Sequence, residues 1–101
     1  MTQIERITHM ERILDTVSDA VKQLSDALEV FSKVQPQVKE LSAYYGSEAW
    51  QQDYDDDGEG KLPADLKRGV LSEDLPYDVL TRRDELVIEL LEVATAALKS
   101  E

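Results

Sequence analysis

The sequence has no cysteine, one histidine, three prolines and four glycines among its 101 residues, and aromatic residues make up only 6%. Without cysteine the chain forms no disulfide and no zinc–thiolate site, and it has no thiolate nucleophile. No apolar run approaches the roughly 20 residues that a membrane-spanning helix requires. The N-terminal stretch is charged and lacks the apolar core of a secretory signal. These absences predict a cytoplasmic protein that does not enter membranes.

Positive charge is also scarce, because 22 acidic residues face 11 basic ones and give a net charge of −11 at pH 7. Such a field repels phosphate backbones and anionic lipids, so we expect no direct binding of nucleic acid. The acidity is greatest between residues 47 and 74, with nine acids and three bases. A basic protein is the natural partner for that segment.

Helical periodicity is what the sequence has in abundance. From Ile4 to Tyr45, apolar residues recur three and four positions apart, as the a and d positions of a heptad do. The a positions are Ile7, Leu14, Val21 and Leu28, and the d positions are Met10, Val17, Leu24, Phe31, Val38 and Tyr45. This pattern predicts a long helix over about 3–45, kinked near Pro36, whose ring clashes with the preceding helical turn. A second periodic stretch predicts a last helix over about 75–99.

The acidic connecting segment, residues 46–74, is predicted to hold turns and short helical pieces. Gly46 is expected to end the first helix in the left-handed conformation, and Ser47 to cap the segment EAWQQDY. A turn-rich loop, DDDGEGK, follows from Asp55, and Pro63 opens one helical turn, PADLKR.

These elements predict an all-α fold in a single helical domain, residues 1–101. Its architecture is an antiparallel helical hairpin with coiled-coil-like packing, or a small three-helix bundle in which Pro36 folds the chain back. Since the first helix is much longer than the last, a homodimer is one way to cover the rest of its apolar stripe.

Two stretches, LSAYYGSEAWQQDY (41–54) and GKLPADLKRGVLSEDLPYDVL (60–80), carry a family resemblance. Together with the flanking helices they resemble a family of small bacterial all-helical proteins known only as a domain of unknown function. The resemblance covers nearly the whole chain. It implies a helical fold and a bacterial origin, and it implies no activity, cofactor or partner.

One acidic run matches the opening of a calcium-binding loop. Asp53, Asp55 and Asp57 occupy loop positions 1, 3 and 5, Gly58 occupies position 6, and Glu59 follows as a further carboxylate. Position 12 should hold a bidentate carboxylate, and here it is alanine. The two interpretations left open are a metal site made by Asp53, Asp55, Asp57 and Glu59, and a solvated acidic loop.

No catalytic constellation is recognisable, since the lone histidine lies beside the helix stripe and no phosphate-binding loop or nucleophile elbow is present. We therefore expect no enzyme and no cofactor. A partner-binding patch is predicted at Tyr45, Trp50, Tyr54 and Asp56, because tyrosine and tryptophan are favoured at interfaces. The alternative is that these aromatic residues pin the middle segment to the helices.

The leading prediction is a non-enzymatic helical protein-interaction or structural module with an acidic connecting segment. Its partner is an unknown protein, with a basic surface expected. The first alternative is a cation-binding protein that uses the loop from Asp53 to Asp57. A weaker alternative is an acidic mimic of nucleic acid, which would need carboxylates spaced along an exposed face.

Overall fold

A computed structural model describes residues 1–100, and within them the chain forms helices and turns and no strand. The elements in chain order are α1 (Gln3–Lys33), α2 (Gln35–Tyr44), α3 (Glu48–Gly58), a 3-10 helix (Gly69–Leu71) and α4 (Asp74–Lys99). The predicted all-α fold is confirmed, and α1, with 31 residues, has the length that hairpin packing requires. None of these helices is both long and apolar enough to cross a membrane.

The chain divides into two compact units, Met1–Pro36 and the residues from Gln37 onward. The first unit is essentially the helix α1. The Thr2 hydroxyl caps it by accepting the Glu5 amide at 3.1 Å. Exposed ion pairs one turn apart lie on its polar side, such as Lys22 with Asp26 at 3.0 Å, and each is worth only about 0.3–0.5 kcal/mol. No residue of α1 is buried.

The long helix predicted over about 3–45 is split into two helices at Val34. Pro36 lies in the first turn of α2, where a backbone N–H has no helical acceptor, so the ring removes no hydrogen bond from α2. The side-chain amide of Gln35 donates to the Phe31 carbonyl at 2.7 Å, near the end of α1. Gly46 follows α2 with a φ of +78°, the left-handed conformation predicted for it.

In the second unit the acidic residues from Asp55 to Asp57 are helical, although their composition favours a loop. Predicting a loop from Asp55 was wrong, because α3 continues to Gly58. The side-chain amides of Gln51 and Gln52 donate to the aspartates four residues later, at 3.0 and 2.9 Å, and extend the helix. The chain turns at Gly60, which has a φ of +72°. Ser47 caps this helix, as predicted, by accepting the Trp50 amide.

Between α3 and the 3-10 helix the chain forms an irregular loop. The helical turn predicted for PADLKR was wrong, because residues 63–68 are not helical and the one backbone bond between two of them is a turn from the Leu66 amide to the Pro63 carbonyl, at 3.2 Å. The Arg68 side chain donates to the carbonyls of Pro63 and Leu66 and so stabilises this non-helical conformation. The helix α4 then begins at Asp74.

The small core of the described chain lies in the second unit. Trp50 of α3 and Leu71 of the 3-10 helix are each 7% exposed, and Pro76 in the first turn of α4 is also buried. Both α3 and α4 contact the 3-10 helix. A three-residue element therefore joins α3 to α4.

Candidate interaction surfaces

Three of the residues predicted to form a partner-binding patch lie together as an aromatic cluster, Tyr45, Trp50 and Tyr54. The rings of Tyr45 and Trp50 meet edge to face with centroids 5.4 Å apart, and those of Trp50 and Tyr54 stack at 5.1 Å. The Trp50–Tyr54 contact follows from their spacing, since residues four apart share one face of α3. Pairs in these geometries contribute about 0.5–1.5 kcal/mol beyond their buried area.

The polar atoms of this cluster bond to the chain itself. The Trp50 indole N–H donates to the Val70 carbonyl at 2.9 Å, and the Tyr45 hydroxyl donates to the Glu73 carbonyl at 2.8 Å. The negative charge of the Glu73 carboxylate is the main cause that raises the pKa of Tyr54. The cluster therefore ties α3 to the 3-10 helix and to the start of α4.

A second tyrosine contact joins α2 to α3. The hydroxyl of half-buried Tyr44 donates to the Asp53 carboxylate at 2.5 Å. That hydrogen bond, together with burial and the negative charge of Asp53, raises the pKa of Tyr44 to about 12. Tyr44 ionises with more difficulty here because its phenolate would face a carboxylate.

Arg68 is the cation that holds the irregular loop against α3. Its guanidinium forms an ion pair with Asp57 at 2.5 Å and also donates to the carbonyls of Pro63 and Leu66. Asp57 lies eleven residues earlier in the chain, so no local pattern in the sequence identifies this contact. Several donors in one fixed fork are the particular advantage of arginine over lysine.

The four carboxylates of the predicted metal site, Asp53, Asp55, Asp57 and Glu59, bond to four different partners. These partners are Tyr44, Gln51, Arg68 and Lys61 respectively. Because α3 is helical here, residues two apart point about 200° apart around its axis and do not converge. Within residues 1–100, no group of three or more His, Cys, Asp or Glu side chains is arranged to hold a metal ion.

Asp56, the acidic member of the predicted patch, is half-buried and accepts a hydrogen bond from Gln52 at 2.9 Å. It lies 3.8 Å from the ammonium of Lys61. Its contacts are thus local to the end of α3.

An apolar groove of about 360 Å³ lies in the second unit. Sequence reasoning missed it, since it forms only where the ends of several elements meet. Half-exposed Leu75 and Val79 belong to it. Its lining residues are Leu41, Lys67, Gly69, Val70, Leu75, Pro76 and Val79.

A long exposed apolar feature lies on α1 and is called the α1 stripe, defined here as the a and d side chains from Ile7 to Leu28. All seven are between 43% and 62% exposed, and they are Ile7, Met10, Leu14, Val17, Val21, Leu24 and Leu28. Before them Ile4 is 77% exposed, and beside them Ile13 is 39% exposed. At 1.5 Å per residue, the distance from Ile4 to Leu28 is about 36 Å.

Comparison with known proteins identifies a family for most of this chain. The chain matched no curated protein and no solved structure. Residues 7–93, which extend from α1 into α4, match the profile of the family described as Domain of unknown function (DUF4298). The match includes the α1 stripe, the aromatic cluster and the Arg68 contacts. The chain therefore belongs to the DUF4298 family of domains of unknown function.

Proposed function

We propose that this protein is a non-enzymatic helical interaction module that binds an apolar helix along its α1 stripe. The observation that carries the proposal is that α1 has 31 residues, a continuous heptad pattern and no buried residue. In proteins most helical stability comes from packing of an amphipathic face, and isolated helices are marginal in water. A helix of this kind requires an apolar partner surface.

The energy available from the α1 stripe indicates what kind of partner it needs. Since fully burying a Val, Leu or Ile side chain contributes about 1.5–3 kcal/mol, covering the exposed half of seven such residues contributes about 7 kcal/mol. Association itself costs roughly 4–15 kcal/mol. One stripe alone therefore barely offsets that cost, so the partner has to supply an apolar face of similar size. An amphipathic helix meets that requirement and a polar surface does not.

We place the binding face on α1 rather than on the aromatic cluster. The indole N–H of Trp50 and the hydroxyl of Tyr45 are hydrogen-bonded within the second unit, and Trp50 is 7% exposed. Recruiting these groups to a partner would break the bonds that join α3 to α4. The α1 stripe offers its side chains without such a cost.

The test compares two variants of equal charge. Val21→Asp with Leu24→Asp places two carboxylates in the stripe, whereas Thr16→Asp with Gln23→Asp places two on the exposed polar side of the same helix. Proteins that co-purify with the tagged wild type are identified by mass spectrometry and then titrated as purified proteins. We expect the stripe variant to bind its partner at least about 100-fold more weakly, since a carboxylate buried without a partner is strongly unfavourable. The control should bind like the wild type.

Equal affinities of the stripe variant and the control for every partner would show that the α1 stripe is not the binding face. Fluorescence of Trp50, the single tryptophan of the chain, checks at the concentration used for titration that the second unit remains folded in both variants.

A further inference from the structure

We infer that the partner of the α1 stripe is α1 of a second copy of this chain, lying antiparallel to the first. This inference rests on the proposed function and names the partner. Length supports a second copy of α1. On α4 the exposed apolar residues form two separate groups, Leu75 to Val79 and Ile88 to Leu98, and the longer group spans only about 15 Å. The α1 stripe with Ile4 is continuous over about 36 Å. A second α1 has the matching length throughout.

The residues that flank the stripe permit two identical helices to meet. Identical helices bring identical charges together, and like charges at the e and g positions oppose pairing. Near the start of α1 the g position Arg6 and the e position Glu11 are charged. After them the e positions hold Ser18, Ser25 and Ser32, and the g positions hold Ile13, Ala20, Ala27 and Val34. From residue 13 to residue 32 both edges of the seam are thus uncharged.

The net charge of the chain also permits pairing through α1 rather than through the rest of the molecule. The unit Met1–Pro36 holds six acidic and four basic residues, a formal charge of −2. Since the whole chain carries −11, the residues from Gln37 onward carry −9. Repulsion between two copies is therefore weakest along α1.

The antiparallel direction follows from the same charges. In antiparallel pairing the a position Leu14 faces Leu24 of the second copy, and Val21 faces Val17 of the second copy. In each copy the strongly acidic unit follows α1 directly in the chain. In an antiparallel pair the two acidic units are therefore attached to opposite ends of a helix pair about 46 Å long. Parallel pairing would join both acidic units to the same end. In antiparallel pairing the two helix dipoles also point in opposite directions, which is the favourable arrangement.

The small side chains beside the stripe fit this register. The local two-fold axis lies next to residue 19, so Ala20 meets Ala20 of the second copy. On the same edge bulky Ile13 lies opposite small Ala27 of the second copy. A large residue facing a small one allows the layers of side chains to interdigitate.

Because the chain has no cysteine, single cysteines report the register without background. The variants are Ala20→Cys at the predicted axis, Leu28→Cys in the stripe and Gln23→Cys on the polar side. Each is treated as the intact protein with a short bifunctional maleimide. We expect rapid cross-linking of the first variant alone, since two copies of residue 28 lie about 27 Å apart in the antiparallel register. The molar mass by light scattering should be twice the chain mass of 11.4 kDa.

Three outcomes would overturn the inference. Faster cross-linking at residue 28 than at residue 20 would show parallel pairing, and equal cross-linking at residues 20 and 23 would show random collision. A molar mass of 11.4 kDa at all concentrations would show that no second copy binds. A monomer that binds a different protein through the α1 stripe would overturn this inference and leave the proposed function standing.

Discussion

Replacing Trp50 tests the physical account of the second unit most severely, because Trp50 is one of its few buried residues. Trp50→Ala removes the indole from a site that is 7% exposed. Substitutions of this kind cost about 3–5 kcal/mol in well-packed cores. Native proteins have a total stability of about 5–15 kcal/mol, so the alanine variant should lose a large part of the stability of this unit.

Trp50→Phe separates the hydrogen bond from the packing. Phenylalanine keeps an aromatic ring beside Tyr45 and Tyr54 but leaves the Val70 carbonyl without its indole donor. An unsatisfied buried acceptor costs about 1–3 kcal/mol. Val70 is 38% exposed, so water partly replaces the donor and the lower end of that range applies. With about 1 kcal/mol for the smaller ring, we expect a total loss of about 2 kcal/mol.

The assay is urea unfolding followed by far-ultraviolet circular dichroism at one protein concentration, with Tyr77→Ala as the control. Tyr77 is also aromatic but is 58% exposed, so its replacement should change the free energy of unfolding by less than about 0.5 kcal/mol. A loss below about 0.5 kcal/mol for Trp50→Phe, or equal losses for Trp50→Ala and Tyr77→Ala, would refute the central role given to Trp50.

Three further predictions concern the polar and acidic residues of the second unit. Arg68→Met should lower the free energy of unfolding by about 1 kcal/mol, since the ion pair with Asp57 is partly exposed, and Arg68→Lys should restore only part of it in the same urea assay. Because the pKa of Tyr44 is raised to about 12, the folded state retains a proton that the unfolded chain loses near pH 10. This stabilisation is complete below pH 10 and declines as pH rises toward 12. Unfolding at pH 8, 10 and 11 should therefore show a steeper loss in the wild type than in Tyr44→Phe, and parallel curves would contradict this cause. Calcium titration watched by amide NMR, with magnesium as control, should give small non-saturating shifts over residues 53–65, whereas saturable micromolar binding of calcium alone would support the cation-binding alternative.

The helical character of the stretch now divided into α1 and α2, and that of α4, were predicted from the sequence because each stretch is amphipathic. Apolar residues spaced three and four apart indicate a helix from the local sequence alone, whatever the distant contacts of those residues are. The left-handed conformation of Gly46 and the N-terminal cap at Ser47 were also predicted, since both features depend on neighbouring residues in the chain. Pro36 indicated the break, and its own place in the first turn of α2 explains why the second helix follows at once.

The end of α3 was not predictable from composition. Three consecutive aspartates before Gly58 are typical of a turn, and local propensity alone favours a loop there. The helix persists because Gln51 and Gln52 bond the aspartates one turn later and because Arg68 binds Asp57 across the loop. The first contact is local but weak, and the second depends on the fold of the loop itself.

The interaction surfaces were predictable to different extents. Trp50 and Tyr54 were predicted to belong to one patch, and the structure stacks their rings because they lie four residues apart in a helix. The Val70 carbonyl, which accepts the Trp50 indole N–H, lies twenty residues further along the chain and carries no sequence signal. The groove beside Leu75 was missed for the same reason.

The measurement that tests the central claim most directly is hydrogen exchange along α1 in three proteins at one concentration. These are the wild type, the stripe variant with Val21→Asp and Leu24→Asp, and the equally charged control with Thr16→Asp and Gln23→Asp. If a partner helix covers the α1 stripe, amides of residues 3–33 exchange slowly in the wild type and control and much faster in the stripe variant, while α3 exchanges equally in all three. Equal exchange along α1 in all three proteins would contradict the claim that this stripe is a binding face.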